Sequence, residues 1–207
     1  LRALGVNRVD MLMVTHRDSD HAGGLASVKS ALDVVEVRSS LPEIPGQKCE
    51  SGQRWVWDGV TFEVLHPSAD AYAEKTKSNH LSCVLMVEAG GRRMLLTSDI
   101  EAPDEAELLA RYPGQLAADV MLVPHHGSKT SSTPEFISAV GARDVVIPVG
   151  YRNRFGHPKA DIVARYETAG PRIWRTDRDG AVRIALSQEG AIFNAWRSEH
   201  KRYWHAK

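Results

Sequence analysis

Only two cysteines, Cys49 and Cys83, occur in the 207 residues. They lie far apart and form no CxxC, so their spacing specifies neither a disulfide framework nor a thiolate zinc site. Charge of one sign is also missing. The 26 basic and 26 acidic side chains cancel, which leaves no global field toward nucleic acid or an anionic membrane, and any phosphate chemistry has to be handled locally. No apolar run approaches the ~18 residues of a membrane span, and the N-terminus lacks the basic-then-apolar layout of a signal peptide, so the chain taken alone is expected to be soluble. Internal repeats and low-complexity tracts are lacking as well. What remains is an ordinary globular composition, 43% hydrophobic and 25% charged, at a length that suits one domain or slightly more on a prior of ~100–200 residues per domain.

Short runs rich in Val, Ile, Leu and Met recur between glycine, proline and polar punctuation. They predict strands at Val9–Thr15, Val34–Arg38, Trp55–Trp57, Val60–Leu65, Leu81–Val87, Met94–Thr97, Asp119–Val123, Asp144–Val149, Arg172–Trp174, Val182–Leu186 and Ala191–Trp196. Helical patterns fall at Gly24–Leu32, Asp104–Arg111, Pro134–Val140 and Lys159–Ala169. Gly90–Gly91 and Glu189–Gly190 read as hairpin turns, Leu41–Ser51 as an exposed connection, and Thr176, Asp177 and Gly180 as a turn between strands. Residues 1–196 are expected to form one domain, followed by a basic and aromatic tail at 197–207.

Side chains of ligand type gather at the ends of these strands. The stretch "THRDSDHAGGL" puts His16, Asp18, Asp20 and His21 between a buried-type strand and a glycine-opened helix. Three more strands end alike: "RRMLLTSD" in Asp99, "DVMLVPHHGS" in His125 and His126, and "DVVIPVGYRNRFGHP" in a loop carrying His157. One such cluster would arise by chance as a cap, a turn or a surface loop. Four in this order suit convergence on one edge of a sheet core. His66, which precedes a proline without other ligand types nearby, reads as loop.

These residues resemble the metallo-β-lactamase-fold superfamily, whose signature is HxHxDH after a strand, followed by later Asp and His ligands at strand ends. The motif here is His16-x-Asp18-x-Asp20-His21, with an aspartate where the second histidine is usual. Together with "NHLSCVL", "LLTSD", "VPHHGSKTSS" and "FGHP", it looks most like the C-terminal hydrolase domain of the ComEC family of competence-related DNA-internalisation channels. The resemblance runs from about Val9 to Ile184. It implies an α+β fold, a metallo-β-lactamase-like αββα sandwich. The family begins with an earlier strand and a glycine-rich turn, so the chain is expected to be N-terminally truncated relative to the family and a fragment of a longer protein.

The resemblance further implies two divalent ions bridged by Asp99, with His16, Asp18 and His126 on one and Asp20, His21 and His157 on the other. His125 and His126 can exchange roles without any change in the sequence signal. The family's third histidine has one counterpart before Asp99, His80, but that residue sits in "NHLS" and is read as solvent-facing. A carboxylate in place of an imidazole hardens the site toward manganese or magnesium, whereas the nitrogen ligands suit zinc, so zinc and manganese both stay open. Asp20 is expected to orient the attacking water and His125 to donate a proton. Ser128 and Lys129 in "GSKTSS", with Arg152, Asn153 and Arg154 ahead of His157, are candidates for holding substrate.

The function implied is a metal-dependent phosphodiesterase or nuclease acting on DNA during uptake, attached to a membrane channel and placed on the outer face of the inner membrane. Two alternatives remain: another small-substrate hydrolase of the superfamily, since fold does not fix substrate, or a metal-stabilised, non-catalytic DNA-docking module.

Overall fold

The computed structural model describes residues 5–73 and 77–202. Three parallel strands, β1 (Arg8–Val14), β2 (Asp33–Ser39) and β3 (Gln47–Lys48), form one sheet in that order. Between β1 and β2 the chain makes a single helical turn, α1 (Ser19–Ala22), and a short helix, α2 (Leu25–Ala31), which lies against β2. The second sheet has seven strands in the order β10-β9-β8-β7-β6-β5-β4. These are β4 (Arg54–Trp57), β5 (Val60–His66), β6 (Val84–Ala89), β7 (Arg92–Leu96), β8 (Val120–Leu122), β9 (Asp144–Ile147) and β10 (Arg172–Arg175). β4 to β7 form an antiparallel meander, whereas β7 to β10 run parallel.

The parallel half needs crossovers, and α3 (Ala102–Arg111), α4 (Pro134–Val140) and α5 (Ala160–Ala169) supply them. Each begins and ends by local chemistry. Glu101 and Asp104 form a capping box at α3, Thr133 accepts the Phe136 N–H at the start of α4, and Gly141 and Gly170 close α4 and α5 in the left-handed region. The β6–β7 turn has Gly90 and Gly91 at φ 58° and 72°, the geometry of a two-residue hairpin that residues with a Cβ resist.

The main core lies between the three helices and the large sheet, with Leu95, Ile100, Leu108, Met121, Phe136, Ile147, Ile162 and Tyr166 fully buried. β9, whose sequence is DVVI, is buried along its whole length, as expected of a strand covered on both faces. A smaller core of Cys49, Val64 and Cys83, packed by Met13, Trp55 and Leu85, joins the two sheets. A hairpin of β11 (Val182–Ser187) and β12 (Gly190–Ala195) follows, attached through Phe193 stacked on Trp174.

The structure corrects several expectations. Cys49 and Cys83 form a disulfide, Cα–Cα 6.2 Å, because the fold brings together two segments 34 residues apart, which spacing alone cannot show. The Leu41–Ser51 connection is not wholly exposed: Leu41 and Cys49 are buried, and β3 pairs with β2 inside it. His66 is the buried last residue of β5, its Nδ1 donating to the Ser82 carbonyl. The strand expected to start at Leu81 starts at Val84, since Ser78–Leu81 form a 3₁₀ turn. β9 ends at Ile147 because Pro148 has no N–H to continue the ladder. Thr176–Asp179 form one helical turn, α6, and Trp196–Glu199 form another, α7. Arg197 in α7 donates to the Asp177 carbonyl, which ties α7 to α6. Residues 203–207 of the expected tail lie outside the described residues.

Candidate metal centre

The carboxylate of Asp99, buried just beyond β7, is the hub. Four imidazole Nε2 atoms face it: His21 at 3.3 Å, His126 at 3.5 Å, His16 at 3.7 Å and His125 at 3.8 Å. His16 and His21 come from the β1 end and α1, and His125 and His126 from the 3₁₀ turn Pro124–Gly127 after β8. The ends of two sheets therefore meet here.

The turn that presents the histidine pair is strained. His125, His126 and Gly127 are successively left-handed, at φ 47°, 55° and 78°, and Ser98, next to Asp99, has φ 50°. Each such non-glycine residue costs ~1–3 kcal/mol and persists only where its surroundings over-determine it. Here the His125 N–H donates to the Ser98 carbonyl, Ser128 N–H to the His125 carbonyl, and the Ser131 hydroxyl to the Pro124 carbonyl.

Gly127 is indispensable to this turn. A Cβ there would stand 2.6 Å from the Pro158 Cβ, where the His157 loop packs against it. Gly127→Ala is expected to lower stability by about 1–3 kcal/mol, combining the left-handed backbone with overpacking. Chemical denaturation measures this, and an unchanged midpoint would refute the packing argument.

Proton accounting favours a cation. His126 Nδ1 lies 2.6 Å from the Pro148 carbonyl, which can only accept, so Nδ1 carries a proton and, in the neutral ring, Nε2 keeps the lone pair. That lone pair points among Asp20 (3.3 Å), Asp99 (3.5 Å) and the Nε2 of His21 (3.2 Å). His16 Nδ1 is close to the hydroxyls of Thr15 and Ser98, while its Nε2 is buried without a hydrogen-bond partner. A buried imidazole nitrogen beside carboxylates and without a hydrogen-bond partner, as at His16, fits metal coordination.

Burial pushes the His16 imidazole down, and His21 beside it adds to this. Burial acts downward on His21 too, but its hydrogen bond to Asp99 and the surrounding carboxylates hold it above the ordinary value. For Asp99, burial acts upward and is outweighed by the His21 hydrogen bond and the nearby imidazoles, which hold the carboxyl below the usual range.

Ligand atoms close enough to share an ion fall into two groups among the described residues: His16, His21 and Asp99, and Asp20, His21 and His126. This differs from the pairing expected from sequence, because α1 curls the chain after Asp20 and returns His21 over Asp99, between both groups. Asp18 stands 4.0 Å from His16 Nε2 and is half-exposed. His157 stays outside both groups. Its ring lies 5.9 Å from that of His125, its pKa is lowered by burial and then by Lys159, and its buried Nδ1 has no partner. His80, read as solvent-facing, instead holds Asp104 at 2.5 Å and lies away from the centre.

His125 has both faces of its ring chemistry defined. Its Nδ1 meets Glu101 at 3.4 Å and Thr130 at 3.2 Å, leaving Nε2 toward Asp99. Glu101, Thr15 and Ser98 carry no motif in the sequence, although each is within two residues of a residue expected to bind metal. Asn153 spends its amide on its own loop, accepting from the His157 N–H and donating to the His157 carbonyl. Ser128 is buried and tied to Thr130, while Lys129, Arg152 and Arg154 are exposed. A cleft of about 500 Å³ runs from Asp20 and His126 to Arg154, Phe155 and His157. A larger groove of about 700 Å³ beside α4 and α5 contains none of these ligands.

A carboxylate hub ringed by imidazoles, at the meeting edge of two sheets flanked by helices, is the site of a metallo-hydrolase fold. The chain belongs to the metallo-beta-lactamase superfamily, whose family model matches residues 1–151. It is 38% identical over its full length to "Competence protein ComA" of Neisseria gonorrhoeae, of which it covers 29%. It is 29% identical over 95% of its length to "ComE operon protein 3" of Bacillus subtilis, of which it covers 27%. The chain thus spans little more than a quarter of these relatives. The solved structure of CmlA, a diiron β-hydroxylase from Streptomyces venezuelae, shares the fold at a TM-score of 0.52 and 12% identity, covering 91% of this chain and 45% of that one.

Proposed function

We propose that this chain is the metal-dependent phosphodiesterase module of a competence-type DNA-uptake protein. The observation that carries the reading is the position of the His126 Nε2, turned among Asp20, Asp99 and His21 while its Nδ1 is held by Pro148. His16, Asp18, Asp20, His21, Asp99 and His126 would hold two divalent ions, zinc or manganese; His157, which the resemblance adds to the set, lies outside both groups, its ring 5.9 Å from that of His125. When bound, the ions supply Lewis-acid activation of water and of the phosphoryl group.

The protein's own groups do the rest. Asp20, half-exposed with one oxygen 3.3 Å from His126, is placed to accept a hydrogen bond from the attacking water. His125, held through Nδ1 by Glu101 and Thr130, presents Nε2 beside Asp99 and would give a proton to the leaving oxygen. Arg154 lines the cleft, and it and the exposed Lys129 and Arg152 suit phosphates. No helix among the described residues is long and apolar enough to cross a membrane. The Cys49–Cys83 disulfide supports a place on the oxidising, outer face, beside a channel part of the parent protein.

Reconstitution with zinc or manganese, followed by cleavage assays on single-stranded DNA, double-stranded DNA and bis(p-nitrophenyl) phosphate, tests this. Hydrolysis that requires metal and is lost in Asp20→Ala supports it. Absence of cleavage despite two bound ions refutes the catalytic reading and favours a docking module.

A further inference from the structure

Three of the half-exposed aromatic residues, Tyr151, Phe155 and Trp196, lie in the loop after β9 and in the docked α7. Phe155 is 57% exposed and Tyr151 56%, although each belongs to a residue type that folding normally covers. The position of Phe155 is not arbitrary. Phe155 lies nearly parallel to His157, with 6.0 Å between centroids and 21° between planes, and His157 in turn meets His125 at 5.9 Å. The ring of Phe155 is thus two rings away from the hub and lines the cleft that leads to it.

Guanidinium groups attend both aromatics. Arg154 lies 4.8 Å from the Phe155 centroid, and Arg152 and Arg197 lie 5.2 and 5.8 Å from that of Tyr151. Arg197 is committed to the Asp177 and Arg178 carbonyls, so it supports the tyrosine from below. Arg152 and Arg154 form no ion pair among the described residues and are exposed, which leaves their charge for an external anion. The loop itself is fixed: Asn153 clamps the His157 backbone and Lys159 Nζ donates to the Phe155 carbonyl.

We propose that Tyr151 and Phe155, flanked by Arg152 and Arg154, form a base-stacking platform that grips unpaired nucleotides of the strand whose phosphate lies at the centre. This rests on the nucleic-acid phosphodiesterase reading and adds to it where the substrate's bases go. Exposed rings recognise the π-face of any base, and adjacent guanidiniums recognise phosphates, without sequence preference. Bases in a duplex are already stacked on both sides and paired, so this surface selects single strands. The chain's zero net charge leaves the local pair of arginines and the stacking to supply the grip.

Fluorescence anisotropy on the EDTA-treated chain separates binding from cleavage. The probes are a fluorescein-labelled 20-mer oligothymidylate, an abasic deoxyribose-phosphate strand of equal length, and a duplex. The expected result is tighter binding of oligothymidylate than of the other two, weakened about 5- to 100-fold by Phe155→Ala or Tyr151→Ala and retained in Phe155→Trp. Abasic binding should not follow the aromatic substitutions. Replacing Arg152 and Arg154 together by Gln should reduce the slope of log affinity against log salt by about 1.4, for two phosphate contacts. Equal wild-type affinity for the base-bearing and abasic strands overturns the platform, and needs no variant to fold. Equal weakening of both strands by the aromatic substitutions overturns it too. Preferential binding of oligothymidylate by a chain that never cleaves when loaded with metal would leave the platform standing and remove the hydrolase reading instead.

Discussion

Asp99→Ala is expected to abolish hydrolysis, lowering kcat by on the order of 10³-fold or more, since preorganised electrostatic groups removed singly from a site already cost 10²–10³. Its carboxylate faces all four imidazoles, at 3.3 to 3.8 Å, and is buried. Without it, His16 and His21 lose the acidic member of their group, and His126 keeps only Asp20. Elemental analysis after dialysis should therefore show metal content falling together with activity. Asp99→Asn separates charge from shape: it fits the same space but offers one carbonyl oxygen and no negative charge, and should lose nearly as much. A variant that retained full metal content and came within about tenfold of wild-type turnover, a change of only ~1.4 kcal/mol in barrier, would remove Asp99 from the centre.

The second large effect concerns stability. Glu105 in α3 is completely buried, and its two oxygens accept the backbone N–H groups of Ser132 at 2.5 Å and Thr133 at 2.8 Å. Ser132 is left-handed at φ 62° and is further held by Arg165, which donates to its carbonyl, and by Tyr166, which donates to its hydroxyl. Glu105 thus pins the segment that leaves the histidine turn and enters α4. Glu105→Ala strands two buried donors at ~1–3 kcal/mol each, a total of roughly 2–6 kcal/mol. For a chain of this size that is a fall of about 4–24 °C in Tm, at ~2–4 °C per kcal/mol. A shift under about 1 °C, far below that range, would show that water satisfies the donors.

Glu105 also has a pH signature. Burial raises its pKa above the ordinary value, and the hydrogen bonds from Thr133 and Ser132 only partly offset this. A carboxyl raised on folding binds its proton more tightly in the folded state. Its contribution is therefore fully present below the unfolded pKa and is lost as pH rises through the folded value. Glu105→Gln, which cannot ionise, should flatten the stability profile from the ordinary glutamate range upward, as measured by urea midpoints across that window. An unaltered slope would mean that Glu105 titrates as it does in the unfolded chain.

Much of the frame was legible because its causes are local. The apolar run of β9, the glycine pair between β6 and β7 and the proline-led α4 each carry their own reason for their conformation. Ligand-type residues were legible for a related reason: a side chain that follows a buried strand directly must emerge at the sheet edge. His66 and Cys49 were not legible in this way. His66 looks like a loop residue before a proline, and only the Ser82 carbonyl opposite, contributed by another segment, gives it a buried place. Glu101 has no motif of its own, and its role exists only because His125 turns Nδ1 toward it.

The amino-acid order alone thus set which segments form strands, which residue types gather at their ends, and the family to which the chain belongs. It could not set how those ends share their ligands. His21 and His126 are 105 residues apart, yet their Nε2 atoms stand 3.2 Å from each other. Their meeting depends on α1 curling His21 back over Asp99 and on two successive left-handed histidines turning the other way. Neither conformation has a strong local preference, and the second is locally unfavourable, so packing against Ser98, Pro158 and the Glu105-anchored segment has to impose it.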